Sequence, residues 1–81
     1  SFIGTDAFDQ DFVYSTTENK AKIKNRMILN SQKSILLCDS SKFNKKGLYS
    51  FNRMDDFDYI ITDTSNNELN NYIQLNNIKT L

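Results

Sequence analysis

The chain has 81 residues, with ten basic and ten acidic side chains, one cysteine, no histidine and no proline. That length holds a single small domain; zero net charge argues against a protein that coats nucleic acid, and the missing histidine excludes a His-based triad. Lone Cys38 excludes an internal disulfide and, without histidine, lacks the usual partners for a zinc site or a Cys-His nucleophile.

In chain order, Ser1 to Thr5 reads as a short strand ending at Asp6, followed by an irregular acidic and aromatic loop, "DAFDQDFVY", over residues 6–14. Ser15 with Glu18 three positions on is a capping-box pattern and predicts a helix over 16–32. Ala21, Ile23, Met27 and Ile28 recur at helical spacing on one side of it, with lysines over much of the rest. "SILLCD", Ser34 to Asp39, is a continuous apolar run of strand length, the pattern of a strand buried on both faces. A polar turn over residues 40–47 carries Lys42, Lys45 and Lys46, then come a short strand from Leu48 to Phe51, a turn at "RMDDF" and a second buried strand from Asp58 to Thr62. Ser65 with Glu68 predicts a second helix with Leu69, Tyr72 and Ile73 on one face; Asn76-Asn77 stops it, and "IKTL" reads as a last strand.

Strands alternating with helices predict an α/β fold with a mostly parallel sheet and flanking helices. In such sheets ligands bind at the carboxyl ends of the strands. Three strands here end in carboxylates, "FIGTD", "ILLCD" and "IITD", which puts Asp6, Asp39 and Asp63 on one edge. Asp63 opens "DTSNNE", where Asp most often makes a turn or caps a helix. Asp6 divides evenly between stabilising its loop and touching a ligand. Asp39 and Lys42 read either as a surface ion pair or, with the hydroxyls of Ser40 and Ser41, as contacts for a polar anionic small molecule. Cys38, inside an apolar strand, reads as a small core residue. With Gly4 and Gly47 the only glycines, no phosphate-loop or dinucleotide fingerprint can be written.

At "GTDAF", "DSSKF" and "DYIITD" the chain resembles the C-terminal effector-sensing domain of DeoR-type transcriptional regulators. The resemblance rests on the order of Gly4 to Asp6, Lys24 with Met27, Asp39 to Phe43, and Ile61 to Asp63. An Arg often follows the helix lysine in that family, where this chain has Asn25. The resemblance implies a domain related to ribose-5-phosphate isomerase and coenzyme A transferases that senses a phosphorylated sugar. It implies a repressor of sugar catabolism whose N-terminal winged helix-turn-helix binds operator DNA. The effector contacts it implies are Asp39, Lys42 and Asp6, with Ser41 beside them; no cofactor or metal is implied. On this reading residues 1–81 are the C-terminal part of the effector domain, without the DNA-binding domain and the first part of the sensing domain. A start in mid-sheet leaves an unpaired strand edge that invites homo-oligomers. No signal peptide and no membrane-spanning run are written in the sequence, so the expected setting is the cytoplasm with no membrane partner. The rival readings are a piece of a sugar-phosphate isomerase using the same Asp and Lys, and a structural α/β module.

Overall fold

The computed structural model describes residues 1–81. Two three-stranded sheets share one core. In the first, β1 (Phe2–Gly4), β4 (Ile35–Leu37) and β6 (Tyr59–Ile61) run parallel in the order β1-β4-β6. Their register is even: Phe2, Ile35 and Tyr59 lie abreast, then Ile3, Leu36 and Ile60, then Gly4, Leu37 and Ile61. The fold is therefore α/β with a parallel sheet and two helices, as the alternation of elements predicts.

The second sheet is antiparallel, β2 (Ala7–Phe8), β3 (Phe12–Ser15) and β5 (Tyr49–Arg53), in the order β2-β3-β5. It corrects the reading of residues 6–14 as irregular. Ala7 pairs with Tyr14 and Phe8 with Val13. Asp9 builds the hairpin between them: its Oδ1 accepts from the N–H groups of Asp11 and Phe12, both at 2.8 Å, and its Oδ2 from the Tyr14 hydroxyl at 2.8 Å. The predicted turn at "RMDDF" is the end of β5 followed by one 3₁₀ turn, Met54–Asp56.

Helix α1 (Glu18–Leu29) starts two residues later than the capping box predicts. Ser15 is the last residue of β3 and is fully buried, so it cannot serve as a cap. Thr17 takes that place, its Oγ1 accepting from the Lys20 N–H at 3.2 Å, and Glu18 instead pairs with Lys22 at 3.4 Å. Only Ala21 and Ile28 of the predicted apolar stripe are buried; Ile23 is 53% and Met27 43% exposed. The stripe against β5 is completed by Asn25, whose Nδ2 donates to the Phe51 carbonyl at 3.0 Å and to Asn52 Oδ1 at 3.2 Å, and by Lys24, whose ammonium lies 5.3 Å from the centre of the Phe51 ring. Polar side chains with partners on β5 thus do the docking that periodicity assigned to Ile23 and Met27.

Helix α2 (Asn67–Leu75) is capped by Asn66, not Ser65, with Asn66 Oδ1 accepting from the Leu69 N–H at 3.1 Å. Leu69 and Tyr72 are buried and Ile73 packs beside them, as the spacing predicts. The helix stops at Asn76-Asn77, with Asn77 in the left-handed region at φ 52°. The predicted last strand shrinks to a single parallel bridge between Thr80 and Ile60.

The core runs between the sheets: Ile3, Leu36 and Ile60 from the parallel sheet meet Phe8, Val13 and Phe51 from the antiparallel one. Burial of the apolar strands on both faces is not found. On the opposite face of the parallel sheet Phe2 is 61% and Leu37 38% exposed, and a Cβ added at Gly4 would meet nothing within 4 Å.

Gly47 is different. A Cβ there would lie 2.6 Å from the Cβ of Tyr14, closer than carbon atoms approach without backbone movement. Gly47→Ala is expected to destabilise the chain by about 1–3 kcal/mol through overpacking against β3, read as a lower urea midpoint with unchanged slope.

Candidate functional site at the carboxyl ends of the parallel strands

Because Gly4, Leu37 and Ile61 are in register, the segments leaving β1, β4 and β6 emerge from one edge of the sheet. Asp6, Asp39 and Asp63 follow within two residues of those strand ends. The fold then sends the three carboxylates to different tasks.

Asp39 opens a 3₁₀ turn, Ser40–Lys42. Its Oδ1 accepts from the Ser41 N–H at 3.0 Å and its carbonyl from the Lys42 N–H at 2.9 Å. No side chain hydrogen-bonds the Asp39 carboxylate. Lys42 is exposed, and its ammonium forms no ion pair with Asp39 or any other group; the chain's one ion pair is Glu18 with Lys22. The surface ion pair considered for Asp39 and Lys42 is therefore not formed.

Asp63 makes the turn expected of it, accepting from the Ser65 N–H at 3.2 Å, and does more. Its Oδ1 accepts from the Ser40 N–H at 2.8 Å and its Oδ2 from the Ser40 hydroxyl at 2.6 Å. Ser40 is only 2% exposed, so these bonds satisfy polar groups that water does not reach. Asp63 is thus the clamp that holds the turn of Asp39 and Lys42 against the end of β6. Asn66 adds a second tie, its Nδ2 donating to the Ser40 carbonyl at 3.1 Å. No local pattern announces either bond, since the partners lie 23 and 26 residues apart.

Asp6 turns toward the antiparallel sheet and α1. Its carboxylate accepts from the Thr16 N–H at 3.1 Å and from the Ser15 hydroxyl at 3.4 Å. The structure therefore ties Asp6 to the entrance of α1 and shows no hydrogen bond between it and the Asp39–Lys42 turn.

Two shallow grooves flank the turn. One, about 460 Å³, lies between the ends of β4 and β6 and is lined by Leu37, Cys38, Asp39, Ile61, Thr62 and Asp63. The other, also about 460 Å³, lies between the turn and the start of α2 and is lined by Ser41 along with Asn44, Ser65, Asn67 and Glu68. Asp39 and Ser41 thus face different grooves, and Lys42 and Asp6 line neither. Chemically, the turn offers a carboxylate with acceptor capacity to spare, a free ammonium and the Ser41 hydroxyl, a set suited to a polyhydroxylated anion. Cys38 adds no nucleophile, since burial pushes its thiol up to about 11. A separate cavity of about 310 Å³ opens at the other end of β6, lined by Leu36, Met54, Tyr72, Asp55, Lys33 and Lys79 among others. It mixes both charge signs and singles out no ligand class.

The carboxylates also set the response to acid. The Ser40 hydroxyl, then the Ser40 N–H and Ser65, hold Asp63 well below the usual carboxylate range. For Asp6, burial works toward a higher value but is outweighed by the Thr16 N–H, by Lys24 and Lys20, and by the Ser15 hydroxyl. Asp9 is likewise lowered: burial opposes, and the amides of Phe12 and Asp11 with the Tyr14 hydroxyl prevail. A carboxyl held lower in the folded than in the unfolded chain stabilises the fold above its unfolded pKa, about 3.9, and loses that contribution as pH falls through the folded value. The thermal midpoint is expected to be flat from about pH 7 to 5 and to fall below about pH 4. Asp63→Asn should lower the midpoint at neutral pH and flatten the acid limb, as followed by circular dichroism. An acid limb of unchanged steepness in that variant would refute the assignment.

No curated protein matches the chain. A family model does: the DeoR C terminal sensor domain matches residues 1–64, from β1 through the Asp63 clamp and stopping short of α2. The parallel strands, the polar turn after β4 and the Ile-Thr-Asp end of β6 all fall within that match, and the chain belongs to the family of DeoR C-terminal sensor domains, the sensing part of a class of transcriptional regulators.

Proposed function

We propose that this chain senses a phosphorylated sugar at the carboxyl edge of its parallel sheet and that occupancy changes the operator affinity of a DNA-binding domain elsewhere in the same polypeptide. Asp39 accepts hydrogen bonds from sugar hydroxyls and Lys42 meets the phosphate; Ser41, on the neighbouring groove, and Asp6, engaged at the entrance of α1, are outlying polar contacts. The observation that carries this reading is the turn itself: in a sensor-domain chain, a free ammonium and an underused carboxylate stand on one 3₁₀ turn clamped by Asp63. The regulator is a cytoplasmic repressor of sugar catabolism that acts as a homo-oligomer and performs no catalysis. Effector shifts the population toward the state with lower operator affinity because it binds that state better.

Calorimetric titration with pentose and hexose monophosphates and with the same sugars lacking phosphate tests the site. At least one phosphosugar is expected to saturate the full-length regulator, and its unphosphorylated counterpart to bind at least about tenfold more weakly. Equal affinity for the two would overturn the role of Lys42, and no saturation by any phosphosugar would overturn the whole reading.

A further inference from the structure

The turn that carries Asp39 and Lys42 is fastened to α2 on two sides. On the polar side, Asn66 acts at both ends of its amide: Nδ2 donates to the Ser40 carbonyl while Oδ1 caps α2 through the Leu69 N–H. On the apolar side, Phe43 directly follows the turn and stacks on Tyr72 of α2, with ring centres 5.6 Å apart and planes 29° apart. Phe43 also packs on Phe8 of β2 at 5.3 Å. Tyr72 closes the circuit, its hydroxyl donating to the Gln10 carbonyl at the tip of the β2–β3 hairpin at 3.0 Å. Ser40 and Phe43 are both buried, so a displaced turn either leaves their groups unpaired and unpacked or carries α2 with it.

We propose that α2 is the element that reports the state of the strand-end turn to the rest of the protein, through Ser40, Asp63 and Asn66. The inference rests on the proposed site in one respect, that a ligand seats at the turn. Helix α2 lies beyond the matched residues 1–64. Two arrangements of one packed unit, biased by contact at the turn, are what such coupling requires.

Amide hydrogen exchange tests it, first without ligand. Ser40→Ala loosens the turn. Asn66→Asp keeps an acceptor for the α2 cap but removes the donor to the Ser40 carbonyl. Ser40→Ala alone is expected to speed exchange at Leu69, Asn70 and Tyr72 about three- to tenfold while α1 amides keep their rates. In the Asn66→Asp background the same substitution should speed α2 exchange clearly less, since only the Phe43–Tyr72 stack then links the turn to the helix. An unchanged α2 in the single variant, an equal rise in α1, or full transmission through Asn66→Asp would each overturn the proposal. The second arm uses D-ribose 5-phosphate and D-fructose 6-phosphate as probes. Protection of the amides of Ser41 to Phe43 should be accompanied by protection of Leu69 to Tyr72, and in Asn66→Asp the α2 protection should shrink relative to that of the turn. Turn protection without α2 protection overturns the coupling. No protection anywhere overturns the site reading instead, and the ligand-free arm still decides the coupling.

Discussion

Phe8→Ala is expected to cost about 3–5 kcal/mol, enough to unfold much of a chain this small. The side chain is fully buried and sits where three elements meet. It stands on β2 beside Val13 of β3, its ring packs against Phe43 after the Ser40–Lys42 turn, and its residue bridges to Phe43 in parallel. Truncation removes a whole ring from a core cluster of 12 buried residues, and two-residue β2 has little else to hold it. Urea denaturation followed by circular dichroism should show either a much lower midpoint or no cooperative transition. Phe12→Ala is the contrast. Phe12 lies at the surface with the Arg53 guanidinium 5.5 Å from its ring, and its loss should cost no more than about 1 kcal/mol. Similar losses for the two variants would mean that β2 and β3 do not form the second sheet.

That contrast also marks what could be read from residue order. The parallel strands were legible because Ile35 to Leu37 and Tyr59 to Ile61 sit in continuous apolar runs of strand length. The left-handed stop at Asn77 was legible because Asn tolerates that conformation. Residues 6–14 were not. A two-residue strand has no period to detect, and Phe8 and Phe12 look alike until pairing with β3 and β5 buries one and leaves the other at the surface. Both capping boxes were misplaced for a related reason. Ser15 has the right chemistry for a cap but spends it inside β3, bonded to Asp6, and Ser65 lies one residue ahead of Asn66, whose side chain caps α2. At the candidate site, the strand pattern puts Asp39 and Lys42 at the carboxyl edge of the parallel sheet, which is where the structure has them. The clamp from Asp63 to Ser40 joins residues far apart in the chain, and only the parallel register of β4 and β6 brings them together. The same register leaves Phe2 and Leu37 on an open face, which no count of apolar residues distinguishes from a covered one.

Lys42→Ala is expected to weaken phosphosugar binding by about 10- to 100-fold and to leave stability within about 0.5 kcal/mol of the parent. The two halves of that expectation come from one fact: the Lys42 side chain has no hydrogen-bond or ion-pair partner within the chain. Its backbone N–H still closes the turn onto the Asp39 carbonyl in the variant, so the scaffold is kept and only the ammonium is lost. A phosphate that lost its single point-charge partner would forfeit a charge-assisted hydrogen bond, which sets the size of the effect. Lys45→Ala and Lys46→Ala separate contact from general attraction. Both lysines are exposed in the segment after the turn and carry the same charge, so a diffuse field would respond equally to all three changes. Such a field would also fade with salt at a screening length near 8–10 Å, while a direct contact would keep most of its effect. Asp39→Asn probes the opposite partner. It should weaken phosphosugar and unphosphorylated sugar alike, because it removes acceptor capacity for hydroxyls and leaves the ammonium in place. If Lys45→Ala or Lys46→Ala proves as damaging as Lys42→Ala, the ligand is drawn to a basic surface and not held at the turn. If Asp39→Asn spares the unphosphorylated sugar, the carboxylate meets something other than the hydroxyls.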